Sequence, residues 1–289
     1  EKAVNELIDG YDAQLVPDNL VADRLDSAGY ALASAIDTDG GTTLLAGATT
    51  MNVPLITKDS VYSDIVNIRT AMSKANVPDD GNRYLLVTPD TMAFILKSPE
   101  FIKASDLGDR VVQEGVVGKI AGFKIIEWND TTANLAMLAG HPRYATRAQE
   151  FKVDVHIQNL DGSGKYIGAS AVQGRFAYGH KVLRKAAIRA VYQPTALTLT
   201  AAKGTDETET VITVAAGGTS GGTYAYKVNP AERASYRMTS AAYAGTTLES
   251  GTTEIAVATG DIVEVACFDS SNKCTAVGYK TMEVSEIKA

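Results

Sequence analysis

Three histidines, His141, His156 and His180, are the first places to look for proton transfer or metal binding, since imidazole titrates near neutrality and is a common metal ligand. They are scattered, with no acidic or cysteine partner at ligand spacing, and read as surface or core residues. Asp37-Thr38-Asp39-Gly40-Gly41 begins like a calcium loop. Such a loop also needs an oxygen ligand where Gly41 stands and a glutamate where Ala48 stands, so a helix stop is the better reading. Asn159-Leu160-Asp161-Gly162-Ser163 fails in the same way at Ser170 and is read as a hairpin turn. The glycine-rich run from Gly115 to Gly122 lacks dinucleotide spacing and precedes a strand; Gly217 to Gly222 has no following lysine or helix. Neither is expected to cradle phosphate.

One local concentration of positive charge exists, at Lys181, Arg184, Lys185 and Arg189. On a strand, alternation would place Lys181 and Lys185 on one face and Arg184 on the other, which suits salt bridges between subunits or a solvated face better than polyanion contact. Cys267 and Cys274 flank a turn-rich hexapeptide. Hairpin geometry leaves two readings open: a facing pair close enough for a disulfide, or two small residues filling a sandwich edge. No nucleophile has a plausible base, and no carboxylate pair has a reason for separated pKa values. The sequence therefore assigns no catalytic, cofactor-binding or metal residue and predicts no enzyme.

The elements that would position these residues fall into two kinds. The chain has 289 residues with 45% hydrophobic and 21% charged, which is globular and long enough for two domains. No apolar run reaches the ~18 residues of a membrane span, and no cationic leader precedes an apolar stretch. A formal charge of -7 gives no electrostatic reason for dedicated nucleic-acid binding. Residues 194–289 hold 17 threonines against 12 in the preceding 193 residues, which places a boundary at Gln193-Pro194.

In the first part, Val21, Leu25, Ala28, Leu32 and Ile36 form one helical stripe, entered at Pro17 and Asp18 and stopped by Asp37 to Gly41. A second stripe, Val61, Ile65, Ile68, Met72 and Ala75, follows Thr57 as N-cap, with Asp59 in the first turn and Asn76 and Pro78 ending it. Tyr84 to Val87 is a strand, and Thr88-Pro89 starts a helix through Lys97. Further strands are predicted at Ile120 to Glu127, Leu135 to Ala139 and Ala187 to Tyr192, so this part is α+β. In the second part, β-prone runs at Leu197–Thr200, Val211–Ala215, Thr223–Val228, Tyr236–Thr239, Glu254–Ala258, Ile262–Phe268 and Ala276–Lys280 predict an all-β sandwich of immunoglobulin or fibronectin type.

Three segments in order carry a family likeness: Asn82 to Asp90, with strand, Thr88-Pro89 step and helix; Gln113 to Ile125, with Gly115, Gly118, Gly122 and Phe123; and Tyr178-Gly179-His180-Lys181-Val182. Together they resemble the major capsid proteins of tailed bacteriophages with the Hong Kong 97 fold, over about Glu1 to Tyr192. The resemblance implies a capsid core at 1–193. Its peripheral domain would be 1–51 and 151–193, with Pro17 to Ile36 as the spine helix, and its axial domain 52–150. The family's N-terminal arm and extended loop precede that helix; here the last strand of the loop, Lys2 to Ile8, is expected. Residues 194–289 resemble the immunoglobulin-like surface domains of phage structural proteins and are expected to fold independently, to be dispensable for shell formation, and to contact host or environmental glycans.

The implied function is a structural one: hexamers and pentamers of this chain building an icosahedral shell around double-stranded DNA held without sequence specificity. Scaffolding and portal proteins are the implied partners. The virion capsid, and the host cytoplasm during assembly, are the implied locations, and a reducing cytoplasm favours free thiols at Cys267 and Cys274. The alternatives are a prophage-derived nanocompartment shell and a glycan-binding surface adhesin.

Overall fold

The computed structural model describes residues 1–9, 20–99, 118–160 and 168–288. The expected helix entry at Pro17-Asp18, the front of the Gln113–Ile125 motif and the turn at Asp161–Gly164 lie outside them. The described residues fall into two compact units, residues 1–49 with 140–188, and residues 50–139 with 189–289.

The first unit is a three-stranded antiparallel sheet against one long helix. β1 (Lys2–Ile8) pairs along its whole length with β8 (Ser170–Val182), whose other edge takes β7 (Ala145–Asn159). β1 coincides with the strand expected from the resemblance. Across the sheet lies α1 (Leu20–Gly47), and Ile8, Ala28 and Val172 form the buried centre with Val4, Val21, Leu25 and Val155 around it. The helix runs straight through Asp37 to Gly41, which overturns the expected stop. Side-chain groups that would compete with the helical backbone are occupied within it: Thr38, Thr42 and Thr43 hydroxyls donate to the carbonyls of Ser34, Thr38 and Asp39 at 2.8–2.9 Å. Glycine costs a helix interior about 1 kcal/mol, but a side chain at Gly47 would stand 2.5 Å from a Val182 methyl. Contact with β8 therefore selects glycine there.

In the second unit, a six-stranded sheet runs in the order β2 (Thr49–Asn52), β9 (Arg189–Tyr192), β6 (Leu135–Gly140), β3 (Tyr84–Val87), β5 (Phe123–Glu127) and β4 (Lys119–Ile120). β6 is buried at every position, as a central strand covered on both faces requires. α2 (Val61–Lys74) turns Val61, Ile65, Ile68 and Met72 into the core, and α3 (Pro89–Lys97) turns in Thr91 and Ile95. α2 begins later than expected: Ser60 is its N-cap and Asp64 its first-turn acid, while the Thr57 amide donates to the Ser60 hydroxyl at 3.0 Å. Thr88 caps α3 as expected, but its hydroxyl meets Thr91 Oγ1 at 3.0 Å and the Ala136 carbonyl at 3.2 Å rather than a helix N–H. The single strand expected over Ile120–Glu127 is a tight hairpin, because Ala121 and Gly122 adopt φ of 44° and 86°. The turn before β3 is held by Arg83, only 1% exposed, whose guanidinium donates to the Pro78 and Val77 carbonyls at 2.9 and 2.5 Å and to Ser73 Oγ at 3.2 Å.

The rest of this unit is a two-sheet sandwich. One sheet orders β10 (Thr195–Ala196), β17 (Cys274–Thr281), β16 (Ile262–Phe268), β13 (Thr223–Val228) and β14 (Thr246–Leu248); the other orders β11 (Thr198–Lys203), β12 (Glu209–Ala216) and β15 (Glu254–Ala256). Ile212 and Ile255 from one sheet meet Val263, Val265, Cys267 and Ala276 from the other in one core. No strand forms at Tyr236–Thr239: Arg237 takes φ of 58°, which breaks an extended run, and a short helix α4 (Ser240–Tyr243) follows. Residues 229–245 instead fold over the outer face of the larger sheet, where Ala234 and Tyr243 are buried against Ala266, Phe268, Cys274 and Val277.

Candidate functional surfaces

Each of the three histidines makes a contact within the fold. His141 is buried and its Nδ1 accepts from the Arg143 amide at 3.2 Å, capping a short 3-10 turn. His156 is exposed, its Nδ1 2.9 Å from the Asp154 carbonyl. His180 packs edge-on to the Tyr178 ring at 5.3 Å and abuts Gly40. Beside it, Asp39 accepts from the Tyr178 hydroxyl at 2.6 Å and pairs with Lys2 Nζ at 3.5 Å. The Tyr178 bond, with the Lys2 charge adding to it, holds the Asp39 carboxyl below its ordinary range, and desolvation and the hydrogen bond to Asp39 push the Tyr178 phenol up to about 12. This network, with Glu6 paired to Arg24 at 3.3 Å and Glu1 to Arg175, ties β1 to α1 and β8. Its work is mechanical.

The basic concentration does not share one strand. Lys181 is the last residue but one of β8, Arg184 caps a 3-10 turn that Lys185 begins, and Arg189 begins β9 in the other unit. The alternation argument therefore fails, since no continuous extended backbone carries the four. Arg184 lies over the Tyr144 ring at 5.4 Å. The cysteines also depart from a facing pair. A β-bulge between Cys267 and Phe268 shifts the β16–β17 register, so Cys267 opposes Ala276 and Cys274 opposes Phe268. Cys267 then points into the sandwich core and Cys274 into the cluster on the outer face. Both are free and buried, and opposite sheet faces exclude a bridge.

One cluster was not legible in sequence. Asp206, Glu209 and Glu254 converge because β12 pairs with β15, placing Val211 opposite Glu254. Glu254 accepts from the Thr205 amide at 2.8 Å and from its hydroxyl, which holds its pKa down, while desolvation and the Glu254 charge push Glu209 up. The cluster closes a loop with Lys288, which donates to the Thr205 carbonyl. An open cleft of about 780 Å³ is lined by Thr88, Asp90, Lys97, Asp130, Gln193 and neighbours.

The first unit and the six-stranded sheet make an α+β core, and ion pairs fasten β1 to its neighbours. Solved structures share this fold. A chain from Mycobacterium phage Che8 is 22% identical at a TM-score of 0.55, with 66% of this chain and 69% of that one covered. The capsid of cyanophage P-SCSP1u gives 15% and 0.55 over 66% and 71%, and the mature capsid of bacteriophage PhiM1 gives 14% and 0.51 over 66% and 70%. A search of curated proteins finds no match. The family model described as phage capsid protein matches residues 8–191, and the chain belongs to that family. Its role is that of a major capsid protein.

Proposed function

We propose that this chain is a Hong Kong 97-type major capsid protein that self-assembles as hexamers and pentamers into an icosahedral shell around double-stranded DNA. Residues 1–51 and 151–193 would be the peripheral domain, 52–150 the axial domain, and 194–289 an exterior immunoglobulin-like domain with glycans as its candidate ligands. Scaffolding and portal proteins are the proposed assembly partners, and the host cytoplasm the proposed place of assembly.

The observation that carries this reading is the match of the capsid family over residues 8–191 to a chain whose first unit is a long helix on an extended three-stranded sheet. Large apolar side chains stand exposed on that unit: Tyr30 at 78%, Leu183 at 60%, Leu7 at 53% and Ile157 at 45%. A subunit that repeats one set of contacts in a closed shell would bury such residues between copies. The modest net charge of -7 also suits a container, because a strongly cationic wall would pin the polymer inside. Co-expression with a scaffolding protein followed by negative-stain microscopy tests the proposal. Closed shells are expected, and a product that remains monomeric at high concentration with scaffold supplied would refute it.

A further inference from the structure

β13 and β14 are antiparallel neighbours, with Tyr224 opposite Leu248 and Tyr226 opposite Thr246. A turn of about 2–5 residues would join them. Residues 229–245 stand there instead, and they make two sets of contacts. On one side they cover the outer face of the larger sandwich sheet. Arg237 N donates to Cys274 O and Cys274 N to Met238 O, each at 2.8 Å, while Ser240 N donates to Asn272 O at 3.1 Å. On the other side the tip reaches the six-stranded sheet. Ser235 bridges Pro54, Tyr236 N donates to Val53 O at 3.1 Å, and the Tyr236 ring stacks on Tyr192 at 6.1 Å between centroids.

The cover also holds a buried carboxylate of β16, Glu264. Glu264 is 0% exposed, and both of its oxygens lie within reach of the Ala234 amide, at 3.1 and 3.2 Å. Its strand neighbours in register are Lys227 on β13 and Tyr279 on β17. Lys227 Nζ lies 4.7 Å over the Tyr243 ring, and Arg233 lies 4.9 Å over the Tyr279 ring. The Tyr243 hydroxyl donates to the Glu264 carbonyl at 3.3 Å. The carboxylate thus accepts from the Ala234 amide of the cover with the Arg233 charge acting on it, while the two cations rest on one tyrosine of the cover, Tyr243, and one of the sheet, Tyr279. A buried charge is kept only where such partners offset its desolvation.

We infer that residues 229–245 are a clasp, latched at Glu264, that docks the C-terminal sandwich on the six-stranded sheet and makes the two unfold as one cooperative body. Glu264 acts here as a positioning residue: it holds Ala234, and Ala234 fixes the neighbouring Ser235–Tyr236 rung on Val53–Pro54. The sandwich is then a brace on the sheet that ends in β2, rather than a freely deletable appendage.

Hydrogen exchange and thermal unfolding of the full chain test this with three variants. In Glu264→Ala the Ala234 and Tyr236 amides should exchange at least tenfold faster while β12 and β16 stay protected. Glu264→Gln keeps an acceptor for the Ala234 amide and should restore most of that protection. Tyr236→Ala leaves the latch intact and should split one unfolding transition into two. Unchanged exchange at Tyr236 in Glu264→Ala overturns the inference. If Glu264→Ala instead loses protection throughout the sandwich, Tyr236→Ala decides: two transitions support the clasp, and one unchanged transition refutes it.

Discussion

Replacing Arg83 by methionine is the most direct probe of how the capsid core is held. The guanidinium is 1% exposed and satisfies two backbone carbonyls, Val77 and Pro78, together with the Ser73 hydroxyl, while Asp79 stands 4.0 Å away. Methionine fills similar volume, so cavity formation is minor and the loss is one of polar partners. Hydrogen bonds to a charged donor are worth about 1.5–3 kcal/mol each, and a buried carbonyl left unpaired costs about 1–3 kcal/mol. The Val77 carbonyl, on a residue 4% exposed, bears that cost in full, whereas Pro78 is half-buried and regains water. Removing the desolvated guanidinium returns part of the loss. The expected net destabilisation is about 3–5 kcal/mol by urea unfolding at neutral pH, a large share of the ~5–15 kcal/mol of a typical domain. Ser73→Ala, which removes the longest of the three bonds, should cost about 1 kcal/mol or less. A loss below about 1 kcal/mol in Arg83→Met would refute the view that this side chain pins the turn into β3.

Ile65→Ala, at a fully buried position of α2, should cost about 2–5 kcal/mol in denaturant unfolding; below half of one kcal/mol the stripe does not face a core. Burial pushes the Asp64 carboxyl up to about 6 against the opposing Ser60 hydroxyl and Arg233 charge. A pKa raised on folding means the folded state gains most from the protonated form, so Asp64's contribution is full below about pH 4 and is lost as pH rises through 6. Asp64→Asn should flatten that part of the stability–pH curve and stabilise the chain at pH 7, by at most about 3 kcal/mol; an unchanged slope would argue against a buried carboxylate. Intact mass after unfolding in alkylating agent without reductant should show both thiols modified, and an unmodified pair would mean that a bridge forms despite the opposite faces. Truncation after Gln193 exposes the Tyr192 ring and the Val53–Pro54 rung, and should lower the melting temperature of the remaining core while leaving β3 and α3 intact by circular dichroism; an unchanged melting temperature would mean that the sandwich does not brace the sheet.

How much could be read from residues alone depended on whether one local pattern decided the outcome. Tyr84–Val87, Pro89–Lys97, Thr223–Val228 and Ile262–Phe268 were legible to the residue because β-prone or cap residues bound them on both sides. α1 was truncated in the reading because Asp37 to Gly41 has the local preferences of a stop, and only packing against β8 overrides them. The Ile120–Glu127 run hid a reversal in which an alanine takes positive φ, an arrangement composition rarely signals. The Glu209–Glu254 meeting and the burial of Glu264 were not legible, because both arise from pairing between strands far apart in the chain.

The two cysteines give this protein a chemical gauge with two separate compartments. Cys274 lies under the cover formed by residues 229–245, and Cys267 lies between the sheets of the sandwich. Burial pushes the Cys274 thiol up to about 12, so in the closed state it is inert to alkylating reagents. Lifting the cover alone would give Cys274 water and a normal reactivity while Cys267 stayed dark. The order in which the two sulfurs take up a mass label therefore reports whether the cover loosens before the sandwich itself comes apart.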